Sequence, residues 1–206
     1  MNNQIQRHFF WGAHSPLSSL TGFVLLIAAS SRIAFALICA MALVWVYVFV
    51  MTTAKLGGEG FPRWGKNTIL LFIASLAAGL FLILLWIFDP LWAMESAFFI
   101  FLVPVVFIAS GLYDRAEDCD MIDTLALTLA EALILGGLIT GMALIREPLG
   151  FGSISLPGFE IKRFIRENMQ EPLRFFQVSS GALIILGYGA AVYRYFRNRI
   201  TNSEDD

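Results

Sequence analysis

The chain has 206 residues, of which 58% are hydrophobic and 15% charged, and its mean hydropathy is +0.73. A soluble domain is closer to half apolar and a quarter charged, so this composition excludes an ordinary soluble domain. The formal net charge is -2, and the basic residues stand singly between apolar blocks, which excludes a nucleic-acid interface. The apolar blocks approach the ~20 residues that span a bilayer, which indicates a polytopic membrane protein.

Six apolar blocks follow one another along the chain. We interpret each as a transmembrane helix, because lipid offers no partner to unpaired backbone groups. The first block, Leu17–Ala29, is short for a full crossing, and the fourth, Ala97–Leu112, contains Pro104. The other four blocks are Ile33–Met51, Ile69–Phe88, Leu125–Ile145 and Val178–Tyr195.

The two irregular blocks stand at corresponding places when the six helices are divided into three and three. Short or interrupted segments at matching positions are typical of inverted repeats. The sequence therefore predicts a single all-α membrane domain over 1–206, with halves at about 15–90 and 91–196 and a polar tail over 197–206. In this prediction the first and fourth helices are short or broken. Chance likeness between apolar helices is the alternative interpretation.

The connection between the fifth and sixth blocks is the longest. Its apolar residues Ile161, Phe164, Ile165 and Met169 share one helical face, and the basic residues between them fall elsewhere. This pattern predicts an amphipathic segment over Phe159–Phe176, lying at the membrane interface or against a partner.

Glu131 has the most unusual position of the charged residues, about two turns inside the fifth block. A carboxylate at membrane depth is costly and favours a role in an ion or proton path, so Glu131 is the candidate ion-path residue. Thr124 and Thr128 share its helical face. The alternative is an interfacial position beside a water-filled funnel or a neighbouring subunit.

Close helix packing is predicted for the same helix. Gly137 and Gly141 form a GxxxG pair with Gly136 beside them, and small residues at this spacing let helices approach one another.

The sequence indicates no catalytic residue and no metal site. Cys39 lies within the second block, where a cysteine usually acts as a small hydrophobic residue. Cys119 lies among carboxylates, and a soft thiolate among hard carboxylates is a poor set of ligands for one metal. No Walker-type, GxGxxG or HExxH motif occurs.

Three short motifs resemble a known family. Ser15–Pro16 opens the first block, RAED at Arg115–Asp118 follows the fourth, and IREPLGFGSISLPG at Ile145–Gly158 follows the fifth. Together with the length and the six-block layout, they resemble the integral-membrane subunits of the Rnf and Nqr electron-transport complexes, most closely the Rnf E and Nqr D types. Those subunits have NP before the first helix, GRAE after the fourth and RE-x-x-G-x-G after the fifth.

The resemblance implies two inverted three-helix halves, in which the first and fourth helices are half-helices. It implies a complex in the bacterial inner membrane that couples electron transfer to sodium or proton movement. The expected partners are the lipid bilayer, a homologous sister subunit and the other subunits of the complex, and no nucleic acid. In the family, two cysteines from each sister subunit hold a [2Fe-2S] cluster between them. The distribution of Lys and Arg predicts that both termini lie in the cytoplasm.

The family's cluster positions fall on Val24 and Ser110 in this chain. Valine cannot bind iron, and serine is a rare and weak substitute for a thiolate. The sequence therefore predicts a non-catalytic membrane subunit of a Rnf/Nqr-type translocase that holds no cofactor of its own. The alternatives are a non-redox scaffold or ion-transporter subunit with the same fold, and an anchor protein that binds a partner through Phe159–Phe176.

Overall fold

The computed structural model describes residues 20–57, 65–116, 119–156, 162–163, 174–188 and 191. These residues are almost entirely helical. The helices are α1 (Leu20–Ala29), α2 (Ile33–Gly57), α3 (Lys66–Phe88), α4 (Pro90–Ser110), α5 (Leu112–Ala116), α6 (Met121–Phe151) and α7 (Ser179–Tyr188). Two-residue strands β1 (Ser153–Ile154) and β2 (Lys162–Arg163) pair antiparallel, and Arg174–Gln177 forms a 3-10 turn.

Four helices, α2, α3, α4 and α6, are long and apolar enough to cross a bilayer. This confirms the prediction of an all-α membrane protein at that level. Large apolar side chains cover the outside of the bundle, as at Phe72 and Ile83 on α3 and Phe98 on α4, which suits contact with lipid. Of the first predicted crossing, the structure describes the ten-residue helix α1. Of the sixth, it describes the short apolar helix α7.

A tight junction joins α3 to α4. The Asp89 carboxylate accepts hydrogen bonds from the backbone N–H groups of Leu91 (3.0 Å) and Trp92 (3.3 Å), and Pro90 occupies the first turn. An aspartate cap followed by proline is a strong start signal for a helix, because both satisfy or remove N–H groups that have no partner within the helix. The two helices pack closely against each other.

The predicted break in the fourth helix is wrong. α4 runs continuously for 21 residues with Pro104 inside it, and Pro104 is buried. Proline removes one backbone hydrogen bond, but neighbouring helices hold a membrane helix in place and allow it to continue past the proline. The helix ends instead at Gly111, whose φ of 62° is the left-handed conformation that glycine adopts most readily.

The centre of the bundle is the contact between α2 and α6, the most extensive in the structure. α2 also packs against α3 and α4, and α1 packs against α4 and α6. Gly136 on α6 lies so close to Ala40 on α2 that a Cβ at position 136 would lie 2.9 Å from the Ala40 Cβ. The predicted role of small residues in packing therefore applies to Gly136, whereas Gly137 and Gly141 have nothing within 4 Å of an added Cβ.

Part of the predicted amphipathic helix is wrong as well. Lys162 and Arg163 belong to β2 and pair with Ile154 and Ser153, because the chain turns back after α6 and pairs with itself. Residues 159–161 and 164–173 of the predicted segment lie outside the described residues.

Replacing Gly136 by Ala should lower the stability of the bundle, because the added methyl group meets the rigid Ala40 backbone and Cβ. Overpacking of this kind typically costs about 1–3 kcal/mol. The measurement is the temperature at which the detergent-purified protein loses its monodisperse gel-filtration peak. Gly137→Ala is the matched control and should be neutral or slightly stabilising, since alanine favours helix. Combining Gly136→Ala with Ala40→Gly should restore stability, and equal effects at positions 136 and 137 would contradict the close contact.

Candidate functional site

Glu131 lies on the face of α6 that packs into the bundle, and it is 0% exposed. Its Oε2 accepts a 2.7 Å hydrogen bond from Arg115 Nη2 on the short helix α5. Glu131 is therefore buried within the bundle, and its charge partner lies sixteen residues earlier in the chain. The role of Glu131 in an ion path stays a prediction.

The ion pair between Arg115 and Glu131 leaves one hydrogen-bond donor and one acceptor unpaired. The same nitrogen, Arg115 Nη2, donates both to Glu131 and to the Ser110 carbonyl oxygen, at 2.7 and 3.1 Å. Arg115 Nε and Glu131 Oε1 are buried and have no hydrogen-bond partner. The pair is therefore not the two-bond fork that arginine and a carboxylate form in their strongest geometry.

Two hydroxyl groups, those of Ser110 and Tyr47, lie near this ion pair. The Ser110 hydroxyl donates to the Phe107 carbonyl at 2.7 Å and accepts from Leu112 N at 3.3 Å. Tyr47 on α2 is fully buried beside Ser110 and Glu131, and its hydroxyl is left without a well-formed hydrogen bond. We call Tyr47, Ser110, Arg115 and Glu131 the Glu131 cluster.

A second group of buried charges lies near the other end of α6. Arg146 Nη1 donates to the Ile27 carbonyl at 2.8 Å and to the Ser30 hydroxyl at 3.2 Å, and its Nε donates to the Phe176 carbonyl at 2.8 Å. Carbonyl groups in the last turn of a helix carry partial negative charge, so a buried guanidinium is stabilised there. Arg146 thus holds the end of α1.

The next residue, Glu147, binds the N-terminal end of α2. Its Oε2 accepts a hydrogen bond from the backbone N–H of Ile33, the first residue of α2, at 2.6 Å. Glu147 itself is 1% exposed. The Ser155 hydroxyl accepts from the next N–H, that of Ala34, at 3.4 Å. Anionic groups are favoured at the N-terminus of a helix, where N–H groups are unpaired. We call Arg146 and Glu147 the α1–α2 clamp.

A basic residue also holds the connection after α4. Lys55, in the last turn of α2, donates from Nζ to the Cys119 carbonyl at 2.8 Å. The late part of α2 therefore contacts the connection between α4 and α6, and the late part of α6 contacts the connection between α1 and α2.

The residues at the predicted cluster positions differ in environment. Val24 on α1 is 43% exposed, whereas Ser110 is 3% exposed and its hydroxyl is hydrogen-bonded within the protein. Cys39 is buried in α2, as predicted for a small hydrophobic residue. Cys119 is partly exposed and its thiol lies 3.8 Å from the Arg115 carbonyl. Among the described residues, no group of three or more His, Cys, Asp or Glu residues could hold a metal ion.

Sequence reasoning did not assign roles to Tyr47, to the clamp or to Arg115 as the partner of Glu131. A buried carboxylate is stabilised by a nearby positive charge, and Arg115 is the last basic residue before Glu131 in the chain, so this pairing had a usable signal. Tyr47 stands in an apolar run and carried no such signal.

Comparison with known proteins does not assign a family. No protein-family model matches the chain, and no curated protein matches it either.

Removing either member of the α1–α2 clamp should destabilise the protein. Arg146→Ala leaves three neutral acceptors without their donor, and each buried acceptor left unsatisfied costs about 1–3 kcal/mol, so this variant should be the more destabilised of the two. Glu147→Ala should cost about 1–3 kcal/mol, because the Ile33 N–H loses its partner. Glu147→Gln keeps an acceptor oxygen and should lie between Ala and wild type.

Thermal unfolding in detergent, followed by tryptophan fluorescence, measures these effects. Glu95→Ala, at an exposed position on α4, is the matched control and should change little. If Arg146→Ala melts with the same midpoint as Glu95→Ala, Arg146 does not fasten the helix end.

Proposed function

We propose that this chain is a membrane subunit of a redox-driven, ion-translocating complex of the Rnf/Nqr type, and that it does not itself hold an iron–sulfur cluster. The observation that carries the proposal concerns two of the three motifs on which the resemblance rests. Arg115 of RAED contacts the last carbonyl of α4, and Arg146 of IREPLGFG contacts the last turn of α1. The resemblance therefore falls on residues that fasten helix ends inside the bundle.

A repeated organisation of two halves is part of this proposal. Lys55 near the end of α2 contacts the connection after α4, and Arg146 near the end of α6 contacts the connection after α1. Such reciprocal contacts are expected when two three-helix halves have the same fold and face each other. We propose six crossings, with both termini in the cytoplasm of a bacterial cell.

The loss of the cluster is proposed from the two positions where the family has cysteines. Cluster ligation of the usual kind requires thiolates, and a chain with two cysteines needs a sister subunit to supply the others. Val24 has no donor atom, and the Ser110 hydroxyl is already engaged with the Phe107 carbonyl and the Leu112 N–H. Electrons in such a complex would pass through other subunits.

The test is purification of the complex from its native membrane in mild detergent, with identification of the accompanying subunits and measurement of iron. We expect a second membrane subunit and flavin- or cluster-bearing subunits to accompany the chain. Isolation of the chain without any redox subunit would contradict the proposal.

The cluster-free part of the proposal has its own test. The variant with Cys39→Ala and Cys119→Ala should retain the same accompanying subunits and the same iron content per complex, because neither thiol is a ligand. Ser110→Ala is the matched control at the family's own ligand position and should also leave iron unchanged. Loss of a cluster signal in the paramagnetic resonance spectrum of any of these variants would show that the chain does hold iron.

A non-redox ion-transporter subunit is the second candidate. The observation that favours it is the buried carboxylate of Glu131, whose Oε1 has no hydrogen-bond partner. Glu131→Gln should abolish ion-dependent transport by such a protein in vesicles, and unchanged transport would remove this candidate.

A further inference from the structure

Arg32 lies at the junction of α1 and α2, and its surroundings differ from those of the other charged residues in the bundle. Its carbonyl accepts a hydrogen bond from Ala36 N at 3.0 Å, so Arg32 occupies the N-cap position of α2. Its guanidinium carbon lies 5.9 Å from the centre of the Phe35 ring and 5.5 Å from that of Phe151. In the part of the chain that the structure describes, no carboxylate forms an ion pair with Arg32.

The two aromatic rings hold the guanidinium in place. The Phe35 ring is itself fixed, because it packs against Trp92 at 5.7 Å and Phe99 at 5.5 Å between ring centroids. Phe151 is the last residue of α6. Rings attract a cation through their faces, but they supply no oxygen acceptor to its N–H groups. Arg32 is therefore an oriented, half-buried donor for an acceptor that the described residues do not supply.

The depth of Arg32 in the membrane follows from its neighbours. Phe35 packs against Trp92 in the first turn of α4, and Asp89, at the junction of α3 and α4, marks the end of the bundle on that side. Arg32 precedes Phe35 by about one turn, in the direction of that end. Tryptophan rings and arginine side chains are typical of the membrane interface, where the phosphate groups of lipids lie.

The charges around this junction leave a positive excess. Arg146 and Glu147 of the α1–α2 clamp contribute one charge of each sign, and Arg32 adds a further positive charge. The strand β2, which consists of Lys162 and Arg163, pairs with β1 directly after α6. The partial positive charge at the start of α2 opposes a cation at its N-cap. An anion beside Arg32 would offset both, so this end of the bundle favours an anionic ligand.

The position of Arg32 favours a phosphate group that belongs to a lipid. A guanidinium binds phosphate oxygens through two parallel N–H bonds, a geometry that an ammonium group does not offer. Exposed apolar side chains lie at the same end of the bundle, such as Leu91 on α4 and Leu149 on α6, which are 72% and 42% exposed. A phospholipid contacts the guanidinium and this apolar surface together, whereas free phosphate contacts only the guanidinium.

We propose that Arg32, held between Phe35 and Phe151, binds the phosphodiester group of an anionic membrane phospholipid. The bound headgroup covers the junction of α1 and α2, and the acyl chains lie along the outside of the bundle. Because the lipid binds the folded chain, it stabilises the bundle. This site goes beyond the complex proposed above, since it requires only this chain and its membrane.

The experiment uses the full-length chain, freed of lipid in detergent, and titrates it with phosphatidylglycerol. Native mass spectrometry measures the bound lipid, and tryptophan fluorescence measures the thermal midpoint. Phosphatidylglycerol should bind and raise the midpoint. Phosphatidylcholine, whose choline group cancels the phosphate charge, should bind several-fold more weakly. Diacylglycerol, which has acyl chains but no phosphate, and inorganic phosphate, which has no acyl chains, should leave the midpoint nearly unchanged.

Substitutions at the site separate charge from ring contact. Arg32→Gln should bind phosphatidylglycerol about tenfold more weakly, because hydrogen bonds between charged groups are lost. Arg32→Lys keeps the charge without the planar fork and should lie between the two. Phe151→Leu removes one ring at constant charge and should weaken binding several-fold. Lys66→Gln is the matched control, since it removes a cation from the surface ion pair with Asp114 at the other end of the bundle. Its affinity should equal that of wild type.

Four results would overturn the proposal. One is an Arg32→Gln variant that binds phosphatidylglycerol as tightly as wild type, and another is equal binding of diacylglycerol, which would leave only contact with acyl chains. A third is equal binding of phosphatidylcholine. The fourth is a rise of the midpoint with inorganic phosphate that matches the lipid and is lost in Arg32→Gln, which would make free phosphate the ligand. If Arg32→Gln is not monodisperse, Arg32→Lys and Phe151→Leu replace it, and wild-type affinity in both would overturn the proposal equally.

Discussion

A helix that ends inside a membrane protein leaves carbonyl and N–H groups that lipid cannot satisfy, and this constraint governs the placement of charge in this chain. α1 ends at Ala29 and α2 begins at Ile33, both buried. The two helix ends carry opposite partial charges. Two adjacent residues of opposite charge bind them: Arg146 binds the end of α1, and Glu147 binds the start of α2. One turn of α6 therefore binds both helix ends at the point where the first two helices meet.

The Glu131 cluster differs from the clamp in what its charges contact. Arg146 and Glu147 contact mainly backbone groups, and the atoms named for them are paired. In the cluster, the Arg115 guanidinium faces the Glu131 carboxylate, and atoms of both remain unpaired. A buried ion pair gives little net stability, because desolvation of the charges offsets their attraction. The clamp is thus suited to holding helices together, whereas the Arg115–Glu131 ion pair contributes little to that.

Much of the helical architecture could be predicted from the sequence, and much less of the polar contacts. The long apolar runs that became α2, α3 and α6 were identified because lipid selects length and composition, although α6 extends to Phe151 through Arg146 and Glu147. The break expected at Pro104 was wrong because neighbouring helices support α4 there, and a single chain segment does not reveal its neighbours. The partners of Arg146 lie more than a hundred residues away, at Ile27 and Ser30, and no local pattern indicates a contact of that range.

Ser110 connects the Glu131 cluster to the end of α4. Arg115 Nη2 serves both the Ser110 carbonyl and Glu131, so movement of Arg115 away from the carboxylate also releases the last carbonyl of α4. α4 also packs against α1, whose end is held by Arg146, so the Glu131 cluster and the α1–α2 clamp act on neighbouring helices. Ser110, the position that the resemblance aligns with a cluster cysteine, therefore lies beside the buried Arg115–Glu131 ion pair.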